Sequence, residues 1–351
     1  MVEDVLVKCV PGVARLLIAG LIACHRAPPP TSGTSNDPAL EAVLARWDRD
    51  EHPDLRAVIV RRGGAIIAER YFNGERADSL HDIRSAGKSI TSLLVGIAID
   101  RGAIAGVGVP LAAILPAAQT SAVAGASLED LLTMRAGLDA NDEDPGSPGN
   151  ESRLDAAPDP VQFALSVPAR SRPGERYVYN SLTAYVVGLA VEQATGEHLD
   201  ELAGRALFGR LGITDWRWQR DTAGHTKGQG NLSLTARDVS KLGELVRQAG
   251  SYDGHRVIAE QWIRDSIAPR VRIDDVDPYA DSYGYFWYTR THRVRGRDVP
   301  VVFASGNGGN KIYVVPSYEL VVAVTSSAYN RGYGQRRSQA ILLAVLEALA
   351  P

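Results

Sequence analysis

Apolar residues alternate between two rhythms along this chain, and the change of rhythm marks its elements. Residues 57–60 (Ala-Val-Ile-Val) and 65–68 (Ala-Ile-Ile-Ala) flank Gly63-Gly64, a strong two-residue hairpin signal, and Asn73-Gly74 ends the second strand. Before the hairpin a helix is expected from Pro38 through Trp47. Residues 89–101 are apolar at helical spacing, which predicts a helix opening around Ser85. Ser127-Leu128-Glu129-Asp130 resembles a capping box ahead of Leu131, Leu132 and Met134, closed by Gly137. Residues 141–151 are acidic and carry Pro and Gly, the composition of a solvated loop. Further helices are expected over 185–194, stopped by Gly196, and over 199–211 and 236–248. The period then shifts to strands at 283–288, 301–304, 311–315 and 320–325, and the chain closes on an apolar helix at 338–350. A hairpin first, helices in the middle and a meander last predict an α+β fold. Its antiparallel sheet is formed by both chain ends, with flanking helices and a mainly helical region between.

Composition narrows the function classes. A chain of 351 residues that is 45% hydrophobic and 23% charged fits a globular protein with a sizeable core. A formal net charge of -3 excludes a generically basic nucleic-acid binder. Two cysteines exclude a disulfide framework and a Cys-rich zinc site. Most basic residues are Arg, so each Lys in a suggestive setting merits inspection.

Lys8 and Arg15 precede an apolar run over 16–23 that stops at Cys24. The run is far shorter than the ~20 apolar residues a spanning helix needs. It has the length of a signal-peptide core. Residues 1–23 are therefore expected to be a signal peptide, 24–40 a tether rich in Pro, Ser, Thr and Gly, and 41–351 a single catalytic unit with no internal linker or repeat. Leu21-Ile22-Ala23-Cys24 resembles the bacterial lipobox, which implies lipidation of Cys24 and anchoring at a membrane. His25 in place of Asp implies, by the same resemblance, the outer membrane facing the periplasm. Glu3 and Asp4 are unusual so early in a signal, which leaves a downstream start codon open; a buried helix with a core Cys is the competing reading.

Three short segments carry chemistry. Ser85-Ala86-Gly87-Lys88 opens a helix, and residues three apart share one face with Cβ atoms about 5–6 Å apart. A nucleophilic Ser needs a nearby base, and a desolvated Lys can lose its proton near neutral pH. The helix start also offers unpaired N–H groups to a developing oxyanion. Alone, Ser-x-x-Lys is a weak motif; here it follows a hairpin and opens an apolar helix. The second segment is Pro173-Gly174-Glu175-Arg176-Tyr177-Val178-Tyr179-Asn180-Ser181, where a phenol held near Lys88 could be driven toward phenolate and act as base. Simple packing of Tyr179 is the competing account. Tyr71-Phe72-Asn73 is the one strict Tyr-x-Asn, but it sits at the end of a strand just before a turn. The third is Ala304-Ser305-Gly306-Asn307-Gly308-Gly309-Asn310, between two strands, where glycines let backbone approach a ligand. A plain glycine-rich turn would look the same.

Together these segments resemble the serine β-lactamase and penicillin-binding superfamily, and within it the class C-like branch that includes family VIII carboxylesterases, 6-aminohexanoate-dimer hydrolases and D,D-peptidases. The resemblance runs from about Arg56 to the C-terminus and includes Leu131-Leu132-Thr133-Met134-Arg135-Ala136-Gly137-Leu138, Leu232-Ser233-Leu234-Thr235-Ala236-Arg237-Asp238 and Tyr283-Gly284-Tyr285-Phe286-Trp287. It implies a β-lactamase/transpeptidase-like fold, with Ser85 as nucleophile, Lys88 as its helix partner and Tyr179 as the Tyr of Tyr-x-Asn. Ser85 and Asn307 would supply the oxyanion hole through their backbone N–H groups. Ser181, Ala304, Ser305, Gly306 and Trp287 would contact substrate, with Tyr285 another candidate for the acyl pocket.

Two departures matter: Ser181 stands where the Asn would be, and Ala304 where many members carry Lys or His. The first removes an amide that bonds a β-lactam or peptide side chain; the second removes a cation that pairs with a substrate carboxylate. Both favour an exported serine hydrolase acting on small-molecule esters or linear amides. A β-lactamase or D,D-peptidase and a non-catalytic envelope binding lipoprotein remain the alternatives. No Gly-x-Ser-x-Gly elbow, His-Glu-x-x-His or dinucleotide pattern is present, so no cofactor or metal is expected. His225-Thr226-Lys227 reads as a solvated loop.

Overall fold

The computed structural model describes residues 37–350; Cys9, Cys24 and the expected signal peptide lie outside them. Strands Leu55–Arg62 and Ala65–Tyr71 pair antiparallel across Gly63-Gly64. Both turn glycines have positive φ (+56° and +88°), which glycine adopts without a Cβ clash. The first strand pairs on its other side with the last strand, Leu320–Ser326, setting Ile59 opposite Ala323 and Val60 opposite Val322. Beyond it lie Asn310–Val315, Arg297–Gly306, Tyr288–Val294 and the short pieces Ser282–Tyr283 and Val271–Arg272. The eight strands thus form one antiparallel sheet built from both ends of the described chain, as the change of period predicted.

The main helices also lie where their periodicity put them. Pro38–Ala45 is capped by Asp37 and buries Leu40, Val43 and Leu44. Ala86–Asp100 is buried from Ala86 to Ala98, so it is apolar nearly all round and runs through the core. Ser181–Thr195 packs beside it and ends at Gly196 with φ +69°. Ala236–Arg247 lies on the sheet. Ser127 and Asp130 form the expected capping box at the start of Leu128–Leu132.

Three elements differ from expectation. Residues 283–288 are two strand pieces around a loop: Phe286 has φ +61°, and a Cβ at Gly284 would collide with the carbonyl oxygen of Ser266. The run is aromatic on every side because the loop is a plug, tied by Phe286 N to the Leu132 carbonyl (3.1 Å) and by Ser89 Oγ to the Phe286 carbonyl (2.5 Å). Residues 199–211 break into Leu199–Ala203, a wide turn at Gly204–Phe208 and a tight one at Gly209–Leu211. The closing helix begins at Gly332, ahead of residue 338, because the polar residues of its opening turns are paired inside the fold. Arg337 reaches Asp50 (2.7 Å) and Asp54 (2.5 Å), and Ser338 Oγ donates to the Gly309 carbonyl (2.5 Å).

Candidate active site

The site is assembled around the turn from strand Leu80–Asp82 into helix Ala86–Asp100. Arg84 takes φ +53°, its N–H donating to Asp82 Oδ1 (2.8 Å) and its guanidinium lying 4.1 Å from the Tyr329 ring centroid. The turn delivers Ser85 to the helix start. From the other side Gly306, the last residue of its strand, presses on the turn so closely that a Cβ would strike the Ile83 carbonyl oxygen.

Lys88 lies one turn into the helix and is 1% exposed. Its Nζ donates to Ser85 Oγ (3.0 Å), Ser181 Oγ (2.9 Å) and the Gln229 carbonyl (2.9 Å). An ammonium has three donors, and here each has an acceptor. Burial disfavours its charge, but Tyr179, Glu151 and Asp142 outweigh burial and hold its pKa above the ordinary lysine value. Desolvation alone would favour release of the Lys88 proton, as the sequence suggested; the surrounding groups reverse that direction.

Tyr179 is held in place by its neighbours. Val178 N bonds the Met134 carbonyl (2.9 Å), which ties this segment to residues 131–138. Asn180 caps helix Ser181–Thr195 by accepting from Thr183 N (2.7 Å), so it faces the helix start. The Tyr179 ring centroid lies 5.0 Å from Lys88 Nζ, and Ser85 and Lys88 both act on its hydroxyl electrostatically. Burial raises its pKa; Lys88 and Ser85 pull the other way but do not overcome burial. The resting site therefore holds an ammonium and a neutral phenol.

Ser85, Tyr179, Ser305, Gly306 and Asn307 line a cavity of about 860 Å³. Asn307 is fixed through its side chain, which donates to Asn330 Oδ1 (2.6 Å) and accepts from Asn330 N (2.7 Å). Three residues expected to contact substrate do not line this cavity. Ser181 is fully buried, accepting from Lys88 and donating its N–H to Asp142 Oδ2 (2.7 Å). Its short side chain reaches the lysine and stops there. Ala304 is fully buried opposite Ile312, and Trp287 is fully buried within the plug loop. Tyr285 is also enclosed, its hydroxyl donating to Glu129 Oε1 (3.0 Å). Tyr71 lies on its strand and bonds Glu69 (3.2 Å).

Two contributors were missed in the sequence. Residues 141–151 are not a purely solvated loop: the buried Asn150 amide bonds the carbonyls of Asn141, Asp142 and Asp144, folding the segment so that Asp142, Glu143 and Glu151 line the cavity. Asn150 ahead of a short helical stretch was the available signal. Lys311 is the second residue of strand Asn310–Val315 and is 3% exposed at the cavity wall. A lysine at a strand start is commonplace, and its burial depends on pairing with a strand read separately.

His225 is likewise not in a solvated loop; its Nδ1 lies 2.6 Å from Glu192 Oε2, with His198 Nδ1 3.7 Å from Glu192 Oε1. This group has the composition of a zinc site. Two ligands about 2.0–2.2 Å from a tetrahedral ion stand over about 3 Å apart, so 2.6 Å is a hydrogen bond rather than a shared ion. Glu192 Oε1 is further occupied by Leu199 N (2.9 Å) and Thr226 N (3.0 Å), which makes the cluster a structural clasp.

A family model described as Beta-lactamase matches residues 48–346. The chain belongs to the Beta-lactamase family. It is 28% identical over 324 residues to a 6-aminohexanoate-dimer hydrolase of Paenarthrobacter ureafaciens, covering 85% of this chain and 82% of that one. A class C beta-lactamase from Rhodobacter sphaeroides shares the fold with a TM-score of 0.66 at 17% identity, over 88% of this chain and 99% of that one. A family VIII carboxylesterase does so with a TM-score of 0.70 at 15% identity, over 87% and 96%. The fold is thus β-lactamase/transpeptidase-like, and the chain is a serine hydrolase of the β-lactamase superfamily.

Proposed function

We propose that this chain is an exported hydrolase of short esters and linear amides that works through an acyl intermediate on Ser85. The observation that carries the reading is the cluster beside the cavity, in which Lys88 bonds Ser85 Oγ and its Nζ lies 5.0 Å from the Tyr179 ring. Before attack the Lys88–Tyr179 pair loses one proton to solvent, leaving phenolate beside ammonium. Ser85 Oγ then attacks the carbonyl carbon as its proton passes to the Tyr179 oxygen. The carbonyl oxygen, now an oxyanion, takes hydrogen bonds from the N–H groups of Ser85 and Asn307. The tetrahedral centre collapses, the bond to the leaving alcohol or amine breaks, and Tyr179 returns the proton to it. Water, deprotonated by the same phenolate, cleaves the acyl-enzyme in reverse order.

Linear substrates fit because Ser181 is committed to Lys88 and cannot present a reaching amide to a β-lactam side chain. The hydrolase that is 28% identical is named for a dimer of 6-aminohexanoate, and the carboxylesterase shares the fold, which supports linear amides and esters. Lys311 supplies a cation beside Ser305 and so keeps a β-lactam reading as the second choice. Two measurements test the proposal. A fluorophosphonate probe should label the wild-type chain and not Ser85→Ala, and kcat/KM for p-nitrophenyl butyrate should exceed that for nitrocefin. Labelling that survives the substitution moves the nucleophile elsewhere; nitrocefin matching the ester overturns the substrate class.

A further inference from the structure

Residues 327–331 join strand Leu320–Ser326 to helix Gly332–Leu349, and the acyl-transfer steps leave them unused. The segment is anchored at its start, where Ser327 N donates to the Asp54 carbonyl (2.8 Å) and Ala328 N to Ser326 Oγ (3.2 Å). Beyond that it touches two separate turns of the site. On one side the Tyr329 hydroxyl donates to the Asp82 carbonyl (3.1 Å), and the ring centroid lies 4.1 Å from the Arg84 guanidinium. Asp82 and Arg84 make the bend that delivers Ser85. On the other side Asn330 and Asn307 exchange two hydrogen bonds, Asn307 Nδ2 to Asn330 Oδ1 (2.6 Å) and Asn330 N to Asn307 Oδ1 (2.7 Å). Asn330 has a left-handed φ of +61°, which asparagine accepts more readily than most residues. Asn307 needs such a hold. Gly308 and Gly309 follow it at φ +87° and +88°, without a Cβ to stiffen the backbone. Asn310 Nδ2 fixes the Asn307 carbonyl (2.8 Å), but the side chain is fixed by Asn330. The turn also lies close against the segment: a Cβ at Gly308 would stand 3.0 Å from Tyr329 Cδ1.

We propose that Tyr329 and Asn330 are positioning residues that clamp the two oxyanion donors, Ser85 and Asn307, at a fixed spacing. This rests on the serine-hydrolase reading above, in which the N–H groups of both residues bond the oxyanion. Such stabilisation depends on donors already aimed at the place where charge develops, so a donor that drifts loses much of its effect. The two donors come from distant parts of the chain. Gly306 meets the Ser85 bend through close packing; Tyr329 and Asn330 add hydrogen bonds to each side and are consecutive residues of one anchored segment. Neither needs to touch substrate to act. Their effect is felt through Ser85 and Asn307.

Two variants test the clamp from its two sides. Asn330→Gly suits the left-handed backbone and keeps the N–H bond, but deletes the amide; Tyr329→Phe keeps the ring beside Arg84 and deletes the hydroxyl. Acylation and deacylation both pass through an oxyanion, so both steps should slow together. For p-nitrophenyl butyrate, kcat should fall about 10–100-fold in Asn330→Gly and less in Tyr329→Phe, with KM within about twofold of wild type. Affinity for phenylboronic acid, whose adduct with Ser85 places an oxygen in the oxyanion hole, should fall by a similar factor. Asn307 and Asn330 are exposed, so the melting temperature should change little. A lower melting temperature with kcat unchanged, or a lower kcat with boronate affinity unchanged, overturns the clamp. Should one variant fail to fold, the other carries the same test. If the wild-type chain turns over no ester, it is the hydrolase reading that fails. The clamp is then judged by hydrogen exchange, in which the amides of residues 306–310 should exchange faster in Asn330→Gly than in wild type. Unchanged exchange there overturns it.

Discussion

Lys88 and Lys311 are both buried lysines, yet their pKa values are moved in opposite directions. Around Lys88, Tyr179, Glu151 and Asp142 more than offset burial. Around Lys311 only Asp277 opposes burial, and the pKa falls to about 7. Each has a consequence for pH. Because the Lys88–Tyr179 pair rests fully protonated, its active form is a minor species at neutral pH. The value of kcat/KM for a neutral ester should therefore climb from about pH 6 to about pH 9; a profile flat over that range would show that no such proton must leave. For Lys311 the sign follows from linkage. Between about pH 7 and the unfolded-chain lysine value near ~10.4, the unfolded chain holds a proton that the folded one lacks, so stability rises with pH. Below about pH 7 both states are protonated and the full cost of the buried charge is present. Lys311→Met should accordingly raise the melting temperature more at about pH 6 than at about pH 10, as read by calorimetry. Equal effects at both pH values would mean that Lys311 is not perturbed.

At the scale of elements, Ser85 is held by three pieces meeting at one turn: the positive-φ bend at Arg84, the start of helix Ala86–Asp100 and the end of strand Arg297–Gly306. Gly306 is where the strand and the turn touch, and it is the position least able to accept a side chain. Gly306→Ala should force them apart, costing about 1–3 kcal/mol of stability and lowering kcat more than it raises KM. Urea denaturation together with steady-state kinetics measures both, and a variant with unchanged kcat would show that the contact does not position Ser85. The sequence made this region half legible. Helical spacing placed Ser85 and Lys88 on one face, and Gly63-Gly64 marked its hairpin, because both depend on neighbours three or fewer residues away. The plug at 284–287 was not legible, since an aromatic run buried on all sides shows no period to separate strand from loop. The polar start of helix Gly332–Leu349 was hidden for the complementary reason: its partners, Asp50 and Asp54, lie at the far end of the chain.

At the scale of the whole molecule, what the chain's pattern conveyed was the joining of its two ends in one sheet, and what it hid was what that joining brings to the cavity. Lys311 and Ser305 meet only through strand register, and Asp142 reaches Ser181 only after Asn150 has folded its loop. Tyr179 was recoverable from the family pattern and not from spacing alone. The same scale governs location. Helix Pro38–Ala45 is docked through Leu40, Val43 and Leu44. No helix among the described residues is long and apolar enough to cross a membrane. The apolar run before Cys24 is also shorter than the ~20 residues a span requires. If the full chain is membrane-bound, a lipid on Cys24 is then the economical anchor, since each buried CH₂ contributes ~0.8 kcal/mol. Expressed in a Gram-negative host, the wild-type chain should sediment with membranes, resist release by high salt and be freed by detergent. Cys24→Ser should remain in the soluble fraction while keeping its ester kcat/KM, because Cys24 takes no part in acyl transfer. A wild-type chain found in the soluble fraction sinks the lipoprotein assignment, and a Cys24→Ser chain that still sediments places the anchor elsewhere.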